Sequence, residues 1–112
     1  MWKVSLLVFL LSAGTDGPVV YYGQLDGAKK PCQVRAKKVF SQISEYKKIK
    51  ETGLTEDDAE YWLLLEKANA KFNTAVHAVA SDKGYDVVIE KGSAKFQGPA
   101  PEETSAVISA LP

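Results

Sequence analysis

Cysteine, histidine and methionine each occur once in this chain, and no apolar run approaches the 20 or so residues that a membrane-spanning helix needs. The single cysteine, Cys32, excludes an internal disulfide and leaves a thiol that is free, buried or intermolecular. His77 has no second histidine to work with, so no zinc-type ligand cluster is expected. A surplus of charge is missing too. The 14 basic and 14 acidic residues balance, whereas a nucleic-acid binder would carry an excess of Lys and Arg. The glycines lack phosphate-loop spacing. Acid–base or nucleophilic catalysis needs titratable groups gathered in a pocket, with a base beside any nucleophile. Asp57-Asp58 and Glu102-Glu103 each have an explanation as helix starts, and a Cys32–His77 pair has no third residue to orient it. The expectation is a protein without catalytic residues, cofactor, metal or small-molecule substrate.

What is present begins with MWK, the apolar run VSLLVFLL, and Ser12-Ala13-Gly14 ahead of polar Thr15-Asp16. A positive n-region, a short apolar h-region and a small-x-small site, in that order, describe a secretory signal over residues 1–14. The competing reading is a first β-strand, since the same run is β-prone. Residues 15–32 are rich in Gly and Pro and read as an extended, partly ordered leader with one strand-like piece, Val19-Val20-Tyr21-Tyr22. Residues 33–112 form a single domain, as the length and the ordinary 25% charged content lead one to expect.

Within that domain a short strand at Gln33-Val34-Arg35 precedes a helix whose apolar face carries Val39, Ile43, Tyr46 and Ile49. It stops at Thr52-Gly53, where Gly suits a left-handed C-cap. Thr55 is an N-cap with Glu56, Asp57 and Asp58 in the first turn, where the helix dipole favours negative charge. Trp62, Leu65, Asn69, Phe72, Val76 and Val79 then recur at heptad-like spacing along a helix that ends at Gly84. That seam packs within an antiparallel helical hairpin or joins chains together; Asn69 sets register within it or faces solvent. Val87, Val88 and Ile89 form a strand covered on both faces, paired as a β-hairpin with Ser93 to Phe96. Pro101 opens a short C-terminal helix bearing Ala106, Val107, Ala110 and Leu111. The fold class is α+β: an antiparallel helical hairpin arm on a small β core, with a short C-terminal helix.

The order AVHAVASDKGYDVVIEKG, a second strand, then PEETSAVISALP resembles the C-terminal core of the Skp/OmpH family of periplasmic chaperones. AKKVFSQISEYKKIK is similar to the family's passage from first strand to first long helix, and the signal-like start suits export. The resemblance implies a β core that trimerises and helical arms that hold unfolded outer-membrane proteins in the periplasm. It implies client contacts at Trp62, Leu65, Asn69, Phe72 and Val76, and an oligomer or core strand at Val87, Val88 and Ile89. This chain departs from the family in a short arm, a balanced charge and a polar, basic first strand at Cys32-Gln33-Val34-Arg35. The expected function is therefore an exported chaperone or holdase for unfolded envelope proteins. The alternative is an envelope interaction module that oligomerises or holds one specific partner. If residues 1–14 are a signal, protein recovered from the exported fraction begins at Thr15 on N-terminal sequencing; recovery there with Met1 in place refutes the signal.

Overall fold

A computed structural model describes residues 17–112. The expected signal, and the first two residues of the expected leader, lie outside the described residues. The described residues form strands β1 (Val20–Gly23), β2 (Pro31–Val34) and β3 (Val87–Glu90) with helices α1 (Ala36–Phe40), α2 (Ser44–Thr52), α3 (Ala59–Lys83) and α4 (Thr104–Ser109). The fold is mixed α+β. The strand piece expected inside the leader is β1, a full member of the sheet.

Sheet order is β1-β3-β2, with β3 antiparallel to β1 and parallel to β2. The apolar, β-branched run of β3 suits this central place, since both faces of a central strand must be covered. On the helix side, Cys32 lies beside Val88, and both join the main core with Val34, Phe40, Phe72 and Val76. Val87 and Ile89 point the other way and are also fully buried. Gln33 shares their face, donating from Nε2 to Ala100 O (2.7 Å) and accepting from the Gly92 N–H (3.1 Å). It thereby ties the segment that follows β3 to that face. The outer edge of β2 is also occupied: Gln33 N–H donates to Pro101 O (2.9 Å) and Glu103 N–H to Gln33 O (2.8 Å). A covered edge removes a template for unwanted strand pairing.

Four local expectations are corrected. Residues 93–96 form no strand, because both edges of β3 are already taken by β1 and β2. The first helix is broken into α1 and α2. The Ser41 hydroxyl donates to Lys38 O (2.6 Å), and Gln42 and Ile43 N–H close short-range bonds to Val39 and Phe40. This bend lets Phe40 and Ile43 both reach the core. α3 starts at Ala59 rather than after Thr55, since the Asp58 carboxylate accepts the Thr55 N–H (2.9 Å) and closes a turn ahead of the helix. Finally, α4 starts at Thr104, because Glu102 is drawn into a bridge beside Gln33.

Helix ends follow the expected glycine chemistry. Gly53 and Gly84 are left-handed at φ 70° and 75°, and Tyr85 N–H donates to Ala80 O (2.9 Å) in a Schellman-type closure. The start of α1 is held from afar: the same Glu90 oxygen accepts Ala36 N–H (3.0 Å) and the Tyr21 hydroxyl (2.7 Å). Tyr21 in turn packs edge-on against Phe72 at 5.1 Å. Along α2 and α3, Lys48 meets Glu60 (3.4 Å) and Glu45 meets Lys71 (2.9 Å), so the pairings run in opposite directions on the two helices.

Gly23 closes β1 with φ 74°, and a Cβ there would lie 2.0 Å from Asp86 O. Gly27 has the same φ but nothing within 4 Å. Gly27→Ala should therefore cost only the left-handed backbone penalty of about 1 kcal/mol. Gly23→Ala adds a collision with backbone and should cost about 3 kcal/mol or more. Urea midpoints of the two variants measure the difference, and equal losses would contradict the close approach at Asp86.

Candidate functional site

The buried positions of α3 are Tyr61, Leu64, Leu65, Ala68, Asn69, Phe72, Ala75, Val76, Val79 and Ala80, a stripe at helical spacing. Trp62 and Leu63 follow Tyr61 by one and two residues, so a rotation of about 100° per residue carries both off the stripe. They are 42% and 59% exposed, and Val20 is the other large apolar side chain exposed among the described residues. Of the five side chains expected to meet a client, Leu65, Asn69, Phe72 and Val76 are covered by this chain's own core, leaving Trp62 at the surface. Val87, Val88 and Ile89 are likewise covered within the single chain. The seam expected to begin at Trp62 begins instead at Tyr61, the aromatic one residue earlier, which packs with Ile49, Leu64 and Leu65. Leu63, absent from the seam reading, emerges as the exposed neighbour of Trp62.

The surroundings fix Trp62 in place. Its indole N–H donates to Glu56 O (2.8 Å), holding the ring against the 53–58 turn, and Tyr61 meets it edge-on at 5.2 Å. Below lies a small cluster of Ile49, Tyr61, Leu64 and Leu65, flanked by Tyr46 and Leu54. Burial, then the nearby Glu56 carboxylate, raises the Tyr61 phenol above its ordinary value. The result is an apolar tip where α2 and α3 meet, with the carboxylates of residues 56–58 and 60 close by.

Asn69 sits farther along α3, 5% exposed, and its Oδ1 has no hydrogen-bond partner among the described residues. Leaving such an atom unpaired costs about 1–3 kcal/mol. It lies beside Ala68, where the main core begins, and four residues beyond Leu65 of the tip cluster.

A second concave surface lies at the opposite end of α3. This cleft of about 730 Å³ is lined by Lys29, Lys30, Lys95, Tyr85, Phe96 and three prolines, among others. Lys30 is held there, donating from Nζ to Lys83 O (2.8 Å) and lying 5.6 Å from the centre of the Tyr85 ring. The Asp86 carboxylate accepts the N–H groups of Lys29 (2.6 Å) and Lys30 (3.0 Å), and these bonds hold its carboxyl below the usual carboxylate range. Glu103 takes the Tyr85 hydroxyl and pairs with Lys83 (2.9 Å), so it too is held below the usual carboxylate range.

Cys32 and His77 are placed in different company. His77 stands edge-on to Tyr22 at 4.8 Å, while the charged groups that act on the Cys32 thiol are Glu103 and Lys83. Among the described residues, no three His, Cys, Asp or Glu side chains are grouped so as to hold a metal ion. No described helix is long and apolar enough to cross a membrane.

No protein-family model matches the chain, and comparison with curated proteins and with solved structures yields no match.

Burial, and then the Glu103 carboxylate, push the Cys32 thiol up to about 12. Since the thiolate is the reactive species, alkylation of native Cys32 near pH 8 should run about a thousandfold slower than in denaturant. Comparable rates in the two states would show a thiol that is neither buried nor raised.

Proposed function

We propose that this chain is a non-catalytic, exported binding protein of Skp/OmpH type, with α2 and the first half of α3 serving as a short antiparallel arm on the β core. Its arm tip holds apolar segments of unfolded envelope proteins and keeps them from aggregating. The observation that carries this reading is the exposure of Trp62 and Leu63 side by side, in a chain whose other seam residues are covered. Two adjacent apolar side chains, one of them a rigid aromatic held by its own N–H, make a contact of low sequence demand. Holdase action requires such tolerance.

A second reading, an envelope module that holds one specific partner, is favoured by the burial of Leu65, Phe72 and Val76. With those residues committed to the chain's own core, the apolar surface left for a client is small.

An aggregation assay separates the two. On the holdase reading, the mature protein suppresses aggregation of an unfolded β-barrel protein at near-stoichiometric amounts. Trp62→Ala with Leu63→Ser should then raise the amount required by about tenfold, the loss of roughly 1.4 kcal/mol of contact. Absence of suppression at several-fold excess rejects the holdase and leaves the specific-partner module.

A further inference from the structure

The balanced charge of this chain is not balanced in space. Residues 51–63 carry Glu51, Glu56, Asp57, Asp58 and Glu60 and contain no lysine or arginine; of the lysines just before them in α2, Lys48 pairs with Glu60 and Lys50 lies over the Tyr46 ring. Glu60 is paired with Lys48 and Asp58 is turned onto Thr55, whereas Glu51, Glu56 and Asp57 make no ion pair among the described residues. Trp62 and Leu63 stand within this acidic rim.

The cleft at the far end of α3 has the opposite character. Among the described residues its lining holds three lysines, two aromatic rings and three prolines, and no Asp or Glu. Lys29 and Lys95 make no ion pair among the described residues, while the carboxylates nearby are committed elsewhere. Asp86 serves the Lys29 and Lys30 backbone, and Glu103 serves Lys83 and Tyr85. The 25 residues of α3 span about 37 Å, in a molecule whose longest extent is 43 Å. No copy can bring its own tip to its own cleft.

We propose that the tip of one copy docks in the cleft of a second copy, head to tail. Trp62 and Leu63 leave water against Tyr85, Phe96 and Pro99, and a cleft of about 730 Å³ has room for both side chains. Lysine ammonium groups at the rim meet the indole face and the carboxylates around it. The two surfaces differ, so the contact is heterologous and builds a ring or an open run of copies. This assembly requires no client and does not rest on the holdase reading. A tip filled by another copy is one from which a client must displace it.

Sedimentation of the full chain across a concentration series tests the proposal. Association is expected, weakening about tenfold between about 0.05 M and 0.5 M salt, because the charges concerned are exposed and screened. Trp62→Ala removes the tip, and Lys29→Glu with Lys95→Glu removes the cleft; each variant alone should be monomeric. Mixed together they should form a one-to-one heterodimer, since each supplies the surface that the other lacks. A wild-type chain that stays monomeric, an association that Trp62→Ala leaves intact, or a mixture that does not pair would each overturn the proposal. Both variants lie at exposed positions, and their circular dichroism should match that of the wild type. If a variant proves unfolded, Glu56→Lys with Asp57→Lys replaces it at the tip and Lys95→Ala at the cleft. The same mixing result is then required.

Discussion

β2 and β3 lie side by side in the same direction, Cys32 against Val88 and Gln33 against Ile89. A parallel pair cannot be closed by a tight turn; the chain must travel back along the sheet before it can enter the second strand. Residues 36–83 make that journey, and they contain α1, α2 and α3. A four-residue strand is about 13 Å long, which some nine helical residues would retrace. α3 has 25. The surplus gives α2 a partner and sets Trp62 and Leu63, at the start of α3, far from the end that leads into β3. The parallel ladder thus dictates a return path, and the excess length of that path creates the surface on which function is proposed.

Strands this short contribute few ladder bonds, so polar ties between elements set the geometry. Glu90 ends β3 and serves two distant donors, the Ala36 N–H and the Tyr21 hydroxyl. Burial, then the charge of Glu90, raises the Tyr21 phenol, so it remains a proton donor across the physiological range. Asp86 precedes β3 and fixes the backbone at Lys29 and Lys30, which enters β2. Glu102 accepts from Lys91 (2.7 Å) and from the Thr104 hydroxyl (2.8 Å), and those partners hold its carboxyl below the usual carboxylate range. Carboxylates lowered in this way support the fold above the ordinary carboxylate range and lose that support as pH falls through their lowered values. Both ends of the central strand are therefore anchored by side chains to segments far away in sequence.

Helix stops at Gly53 and Gly84 were legible in the sequence, because a left-handed cap is a local demand that glycine meets alone. The strand at Val87, Val88 and Ile89 was legible for the same kind of reason, as three consecutive apolar β-branched residues fit only a position covered on both faces. Its partners were not. Local pattern suggested the next segment, 93–96, whereas the actual neighbours come from residues 20–23 and 31–34, and nothing local encodes a pairing across the crossover helices. The seam of α3 starts at Tyr61, one residue before the expected Trp62. Tyr61 and Trp62 both satisfy an aromatic seam position, and only the tertiary partners Ile49 and Leu54 select Tyr61. The basic cleft was invisible, since its walls come from residues 28–31, 85 and 95–101, which the fold alone brings together.

The described residues pack into a large core and a small one, which approach each other near Asn69. On one side, fourteen buried residues pack around Phe72 and Phe40; on the other, Ile49, Tyr61, Leu64 and Leu65 hold the tip. The pairs that link α2 to α3, Lys48–Glu60 and Glu45–Lys71, involve partly exposed side chains, and pairs of that kind contribute little. Most of the free energy of folding therefore resides in the base, and the tip is the region that opens at least cost. An unpaired amide oxygen at the boundary lowers that cost further, because an opening that wets Asn69 recovers its missing hydrogen bond. Trp62 and Leu63 thus sit on the less stable of the two clusters among the described residues, and a contact that covers them acts where that fold has most stability to gain.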